Sequence, residues 1–357
     1  MNDKILMSGN EALAEGAIRA GCKFYAGYPI TPQNELTAYM AVNLPKAGGI
    51  FIQAESELAA INMVFGAAAA GARAMTSSSS PGISLKQEGI SYIAGAELPS
   101  VIINVMRGGP GLGNISPSQS DYFQATRGGG HGDYHCLVLA PSSVQESLDL
   151  MPLAFNLADK YRTPVMVLSD GMLGQMMEPV SVHSPQSTVH SKKLPEKKWA
   201  LTGCRGRKPN VVKSFYMQEG GLEKFNLSLQ KKYSEIRNKE QRFEMTNVKD
   251  AEVIIVAYGI MARIAKSAMQ DLNNAGRKVG LIRPVSLWPF PKNAFREIEK
   301  SKHFKSFLVV EMSYGQMIED VLLSVADKSK VDFLGRSGGG IPAEAEIIDK
   351  LKKIIRR

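Results

Sequence analysis

Residues 100–113 read Ser-Val-Ile-Ile-Asn-Val-Met-Arg-Gly-Gly-Pro-Gly-Leu-Gly. A short, nearly unbroken apolar run bounded by a glycine cluster predicts a strand buried on both faces. Arg107 then stands at the mouth of the loop that follows. On either side the chain alternates strand-like runs with helical stretches. Lys23–Ala26, Ile50–Gln53, His135–Leu139 and Val165–Leu168 read as strands. Pro32–Met40, Ser56–Ala72 and Ser143–Tyr161 read as helices between them. This alternation predicts an α/β fold with a mostly parallel sheet, in which ligands bind beyond the carboxyl ends of the strands.

The alternation stops near Pro179. From there to about Val248 the chain is polar, basic and irregular, with one amphipathic helix expected over Leu222–Phe243. It resumes with strands at Glu252–Ala257, Val279–Ile282 and Phe307–Val310, a helix between the first two reaching Ala275, and a closing helix over Ala343–Ile355. The expected organisation is therefore a first domain over 1–182, a basic linker or insertion over 183–248 and a smaller α/β domain over 249–357.

Composition narrows the function classes. The 357 residues are 44% hydrophobic and 22% charged, as in an ordinary globular protein. The opening residues lack the apolar core of a signal peptide, and no run is long enough to cross a bilayer. Cys22, Cys136 and Cys204 are widely separated, which leaves no Cys-x-x-Cys pair for zinc and no cluster for iron–sulfur ligation. Reduced thiols and a cytoplasmic location are expected. The net charge of +9 is concentrated between Lys192 and Met245, where 14 Lys and Arg face six Glu. Without aromatic platforms or a recognised binding motif, that segment reads as a solvated linker or a subunit-docking surface rather than a nucleic-acid site.

Three segments at predicted strand ends carry the candidate chemistry. In Tyr28-Pro29-Ile30-Thr31-Pro32 the prolines restrict the backbone around Thr31. Its hydroxyl would cap the next helix, with Pro32 at the first helical position, or touch a ligand. In Gln53-Ala54-Glu55-Ser56-Glu57 the acids suit the first turn of a helix, and Ser56 suits its cap. The following small-residue run, Gly66–Gly71, would let that helix pack closely and hold an acid near the sheet edge. Arg107 and its glycines offer a planar guanidinium beside exposed backbone, a fit for a carboxylate or phosphate. Two other segments have plainer readings. Gly128–His135 is a glycine-rich loop that closes over a ligand or meets a subunit more readily than it binds metal. Ser77–Gly82 is a hydroxyl-rich turn before a helix, with no acid–base pair to make a nucleophile.

Together these segments resemble the 2-oxoacid:ferredoxin oxidoreductases, enzymes that use thiamine diphosphate. The resemblance covers Tyr28–Pro32, Glu55–Glu57 with Ala59–Met63, Thr76–Gly82, Gln87–Gly89 and Arg107 with its glycines. It implies an alpha-type subunit: a pyrimidine-type thiamine diphosphate domain followed by a smaller domain like the transketolase C-terminal one. By that resemblance Glu57 hydrogen-bonds the aminopyrimidine ring and so promotes loss of the thiazolium C2 proton. Tyr28 and Pro29 line the cofactor, while Thr31 and Arg107 hold the substrate's carbonyl and carboxylate. Ser78–Ser84 and Asp121–Tyr134 look most like the branched-chain (3-methyl-2-oxobutanoate) members. The alternatives are a 2-oxoglutarate enzyme and a non-catalytic assembly subunit of the same fold. Family members hold Mg²⁺ through Gly-Asp-Gly and a later Asn pair. Here Ser169-Asp170-Gly171 has no such pair in reach, since Asn273-Asn274 is too distant. The resemblance therefore places Mg²⁺ and the diphosphate on a beta-type partner, and [4Fe-4S] clusters on partner subunits. Gamma-type and ferredoxin-like subunits, ferredoxin and coenzyme A complete the implied set, with no nucleic acid and no membrane.

Overall fold

The computed structural model describes residues 4–182 and 196–356. Lys192, Lys193 and the remainder of 183–195, where the basic linker was expected to begin, lie outside the described residues. The first half runs β1 (Lys4–Ser8), α1 (Gly9–Arg19), β2 (Phe24–Gly27), α2 (Asn34–Lys46), β3 (Ile50–Gln53) and α3 (Glu57–Ala69). It continues through β4 (Ala74–Ser78), α4 (Ser80–Gly95), β5 (Ser100–Met106), α5 (Tyr122–Thr126), β6 (Leu137–Leu139) and α6 (Val144–Tyr161). Next come β7 (Pro164–Asp170), α7 (Gly171–Gln175), β8 (Met177–Ser181), α8 (Gly221–Lys239), β9 (Phe243–Thr246) and β10 (Val253–Val256). The rest is α9 (Gly259–Asn274), β11 (Val279–Pro284), β12 (Ser286–Trp288), α10 (Lys292–Glu299), β13 (Ser306–Glu311), α11 (Met317–Leu322), β14 (Val331–Gly335) and α12 (Glu344–Ile355).

The fold is α/β with two mainly parallel sheets. The larger has the order β12-β6-β7-β5-β4-β2-β3 and the smaller β14-β13-β10-β11-β9. Within the larger sheet β12 is antiparallel to β6, and within the smaller β9 is antiparallel to β11. A separate antiparallel pair joins β1 to β8. Every residue of β5 is buried, as its apolar run requires. Its register sets Ser78 of β4 beside Asn104, and Met106 beside Asp170 of β7. The carboxyl ends of the central strands thus form one rim.

Side chains of β10 divide between two cores, as the two-residue period of a strand demands. Ile254 and Val256 join the main core with β5, β7 and α8, while Val253 and Ile255 pack with α9 and α12. Six strands, β1, β4, β8, β9, β12 and β14, escape the apolar reading. The central strand β4 is Ala-Met-Thr-Ser-Ser, so the serines assigned to a turn in fact begin inside the sheet. Phe243, assigned to the amphipathic helix, starts β9 after α8 has ended at Lys239. Short β12 carries the chain back from the smaller sheet to the edge of the larger one.

Part of the basic segment is tied into the first sheet's layers. Arg73, nearly sealed from solvent, donates through Nε to Asp159 at 2.8 Å and through Nη2 to Asn156 at 2.8 Å. Lys197 Nζ lies 2.8 Å from the other Asp159 oxygen, close enough to pair but off line for a hydrogen bond. Lys232 pairs with Glu97 at 2.9 Å, and the Arg162 guanidinium stacks over Trp199. These cations serve the fold rather than an open surface.

Candidate active site

Glu57 is the first residue of α3 because Ser56 caps that helix, its Oγ accepting from Ala59 N at 3.1 Å. The helix direction turns the two acids apart: Glu55 is exposed, whereas Glu57 is 6% exposed. The Glu57 carboxyl has no hydrogen-bond partner among the described residues. It lies over Gly82, where a Cβ would stand 2.6 Å from its Oε1. Ser78 Oγ would meet the same added Cβ, and it is buried without a hydrogen-bond partner, as are Thr76 Oγ1 on the same strand and Ser79 Oγ at its end. Buried polar groups left unpaired are uncommon and ask for a ligand or water. A buried acid beside the free hydroxyl of Ser78, in a cradle that a methyl group would fill, suits the ring nitrogens and amino group of an aminopyrimidine.

Arg107 is also buried, at 7% exposure. Its Nη1 donates to the Thr31 carbonyl at 2.9 Å and its Nη2 to the Leu112 carbonyl at 3.2 Å. Nε has no partner, and no carboxylate pairs with this guanidinium among the described residues. A buried cation held only by neutral carbonyls remains available to an anion. Thr31 and Arg107 are therefore adjacent. The Thr31 Oγ1 accepts from Asn34 Nδ2 at a long 3.4 Å and keeps its own proton to donate.

Thr31 does not cap α2. The helix begins at Asn34, after a cis Thr31–Pro32 bond, and Gln33 occupies the cap position without capping through its side chain. Instead, buried Gln33 accepts at Oε1 from Ser77 Oγ at 2.6 Å and from Thr37 Oγ1 at 3.2 Å. Tyr28 and Pro29 are exposed on the rim beside it.

The turn from Ser78 to Gly82 joins the acid to the cation. Ser80 Oγ accepts from Arg107 N at 3.0 Å and donates to Asp121 Oδ2 at 2.6 Å. Asn104 Nδ2 donates to the same oxygen at 2.9 Å. Burial raises the Asp121 carboxyl above the ordinary Asp range, against the lowering effect of those two bonds. Ser80 and Asp121 escaped the sequence reading because a capping serine and an isolated acid have no distinctive pattern. Lys86 escaped it too, although a lysine on the Ile83–Ile90 stripe of a helix was a visible signal.

Other candidates have structural roles. Asp170 Oδ1 caps α7 by accepting from Met172 N and Leu173 N, both at 3.0 Å. Burial lifts its carboxyl to about 6 against these and the Ile260 amide. His135 stacks on Trp288 with ring centroids 4.4 Å apart and meets Tyr233 edge-on. Among the described residues no group of three or more His, Cys, Asp or Glu could hold a metal ion, and no helix is long and apolar enough to cross a membrane.

Residues 15–243 match the family described as pyruvate flavodoxin/ferredoxin oxidoreductase, thiamine diphosphate-binding. Residues 251–347 match pyruvate:ferredoxin oxidoreductase core domain II. The chain is 50% identical to ketoisovalerate oxidoreductase subunit VorB of Methanothermobacter marburgensis, over 98% of this chain and 97% of that one. It is 37% identical to 2-oxoglutarate synthase subunit KorA of the same organism, over 98% and 99%. The solved 2-oxoglutarate:ferredoxin oxidoreductase from Magnetococcus marinus superposes with a TM-score of 0.88 at 30% identity, covering 99% of this chain and 65% of that longer one. On these matches the chain belongs to the 2-oxoacid:ferredoxin oxidoreductase family as a subunit carrying its thiamine diphosphate-binding domain.

Proposed function

We propose that this chain is the alpha-type, pyrimidine-binding subunit of an oxidoreductase acting on branched-chain 2-oxoacids. With partner subunits, it would convert 3-methyl-2-oxobutanoate and coenzyme A to the acyl-CoA and carbon dioxide, reducing two ferredoxins by one electron each. The observation that carries this reading is the pairing, across one turn of chain, of a buried unpartnered carboxyl with a buried guanidinium that has no carboxylate. Thiamine diphosphate, when bound, supplies the carbon nucleophile for the 2-oxo group. Glu57 would hold a proton at the ring nitrogen, and the hydroxyls of Thr76, Ser78 and Ser79 would orient the ring's polar edge. Tyr28 and Pro29 would line the cofactor from the rim. Arg107 would fix the substrate carboxylate through its free N–H groups, and Thr31 would donate to the 2-oxo oxygen.

Mg²⁺, the diphosphate contacts and the [4Fe-4S] clusters are assigned to beta-type, gamma-type and ferredoxin-like partners. Two observations support that division. Asp170 is committed to backbone amides, and the three cysteines are all free and well separated. The branched-chain preference rests on the VorB relatives, and Lys86, the cation bonded to the Glu57 carbonyl, is fully buried rather than open to a second carboxylate. Apolar side-chain pockets discriminate by only ~1–3 kcal/mol per methylene, so several branched and straight substrates should turn over. A panel of 2-oxoacids on the assembled complex tests the reading. 2-Oxoglutarate emerging with the highest kcat/KM would favour the KorA-like alternative.

A further inference from the structure

Asp121 stands at the N-cap position of α5, where a carboxylate usually accepts from an amide of the first turn. It makes no such bond. Its Oδ2 turns inward instead, accepting from Ser80 Oγ at 2.6 Å and from Asn104 Nδ2 at 2.9 Å, and both partners are buried residues. A serine hydroxyl carries a single proton. Two acceptors lie within reach of the Ser80 proton, Asp121 Oδ2 and the Arg107 carbonyl, the latter at 3.2 Å. The shorter contact, to a carboxyl oxygen, is the stronger and takes it. A lone pair of Ser80 Oγ is then left facing the Arg107 amide, which donates at 3.0 Å. Arg107 lies one residue past the end of β5, where the parallel pairing with β4 and β7 has stopped. The Ser80 oxygen therefore fixes the backbone from which the guanidinium springs.

Asp121 is itself gripped from the smaller-sheet half of the chain. Gln316, the residue before α11, donates from Nε2 to the Ser120 carbonyl at 2.6 Å and accepts at Oε1 from Phe123 N at 2.8 Å. One side chain thus holds the backbone on both sides of Asp121. The Tyr122 hydroxyl adds a bond to Asp320 Oδ2 at 2.7 Å. We propose that Asp121 is a positioning residue for Arg107: it turns the Ser80 hydroxyl so that Ser80 accepts from the Arg107 amide, and Gln316 holds Asp121 in place. This rests on Arg107 being the cation that receives the substrate carboxylate. An acid kept only for folding at this position would cap α5, and Asp121 forgoes that bond. The relay gives the smaller-sheet half a part in substrate binding through hydrogen bonds alone.

The test is Asp121→Ala and Asp121→Asn in the full chain and in the assembled complex. Both wild-type bonds end on one oxygen, so the amide oxygen of the Asn variant can receive the two of them. In Asp121→Ala the Arg107 amide should exchange with solvent about tenfold faster by NMR, the worth of one hydrogen bond, while the Val105 amide keeps its rate. In the complex KM should rise about tenfold for every 2-oxoacid, with kcat and deuterium exchange at the thiazolium C2 unchanged. Asp121→Asn should restore the wild-type values, and Gln316→Ala should raise KM in the same direction as Asp121→Ala. Equal losses in Asp121→Ala and Asp121→Asn, or an unmoved Arg107 amide, overturn the proposal. So does C2 exchange that falls together with KM, because a fault of folding would strike Glu57 and Arg107 alike. An unmoved KM in Gln316→Ala overturns the anchoring. Should Asp121→Ala fail to fold, Ser80→Ala decides, since it removes the acceptor itself: KM must rise, and a wild-type KM refutes the relay. The Arg107 amide is read on the chain without cofactor. Failure of the substrate reading would show separately, as a wild-type KM in Arg107→Lys.

Discussion

Gly82→Ala isolates the position of the Glu57 carboxyl from its chemistry. The added Cβ would meet Ser78 Oγ and stand 2.6 Å from Glu57 Oε1 and 2.9 Å from Glu57 Cγ. Ordinary contact begins near 3.4 Å. The carboxyl must therefore retreat by about 0.8 Å, close to the ~1 Å misplacement that lowers a catalysed rate ~10²-fold. All the obstructing atoms belong to side chains, so the backbone can stay in place. Ser78 can rotate, and the loss of stability should fall at the low end of the ~1–3 kcal/mol range for overpacking. The measurements are urea unfolding of the chain and deuterium exchange at the thiazolium C2 in the assembled complex. Expected is a ~10²-fold slower exchange in a protein that still folds. Gly66→Ala, on the same α3 but with nothing within 4 Å of its Cβ, is the control. It should gain about 0.5–1 kcal/mol and leave exchange unchanged. Exchange at the wild-type rate in Gly82→Ala would refute the placement of Glu57 as the acid at the ring.

Glu57→Gln is nearly isosteric and should slow C2 exchange ~10²–10⁴-fold while the complex still assembles; an unchanged rate would transfer the role to another residue. Arg107→Lys cannot reproduce two parallel hydrogen bonds, so KM should rise by a similar factor for every 2-oxoacid; a change in the order of preference would count against a carboxylate-only role. His135, half-buried beside Trp288 and near Arg237, is held unprotonated down to about 4, below its ordinary 6.5. The unfolded chain takes up that proton first, so the stability from this group is full above pH 6.5 and is lost as the pH falls towards 4. Urea midpoints over that interval should drop less steeply in His135→Phe, and equal slopes would exclude His135 as the source. Lys197→Glu sets an acid against Asp159 in a largely buried ion pair and should lower stability by ~3 kcal/mol in urea unfolding; no loss would mean that the pair is idle.

The strands that sequence reveals are those whose burial is written in apolar side chains. Val101 to Met106 and Val253 to Val256 are such runs, and they set the parallel order. Strand β4 lies inside the larger sheet, next to central β5, yet three of its five residues are hydroxylic. Ser77 bonds Tyr25 and Gln33 while Thr76 and Ser78 are buried without partners, so a hydrophobic period cannot find the strand. The same applies at the site. Glu57 and Arg107 stood out because each follows a strand, whereas Thr31 as a helix cap did not survive. The helix starts only at Asn34, and a neighbouring side chain, Gln33, turns inward to Ser77. Asp121 gains its meaning only from Ser80 and Asn104, distant in sequence and joined by the register of β4 with β5.

The return of β12 to the edge of the larger sheet ties the two halves mechanically. Arg242 and Ser286 bond each other on the way, and β6 gains its outer partner from a segment that follows β11. Neither sheet can swing away without tearing a ladder that belongs to the other. Unfolding should then follow one cooperative transition, with the amides of β6 and β10 exchanging only through global opening. A molecule braced in this way has little capacity for hinge closure. Any motion that admits substrate must then be local rather than a swing of one sheet against the other.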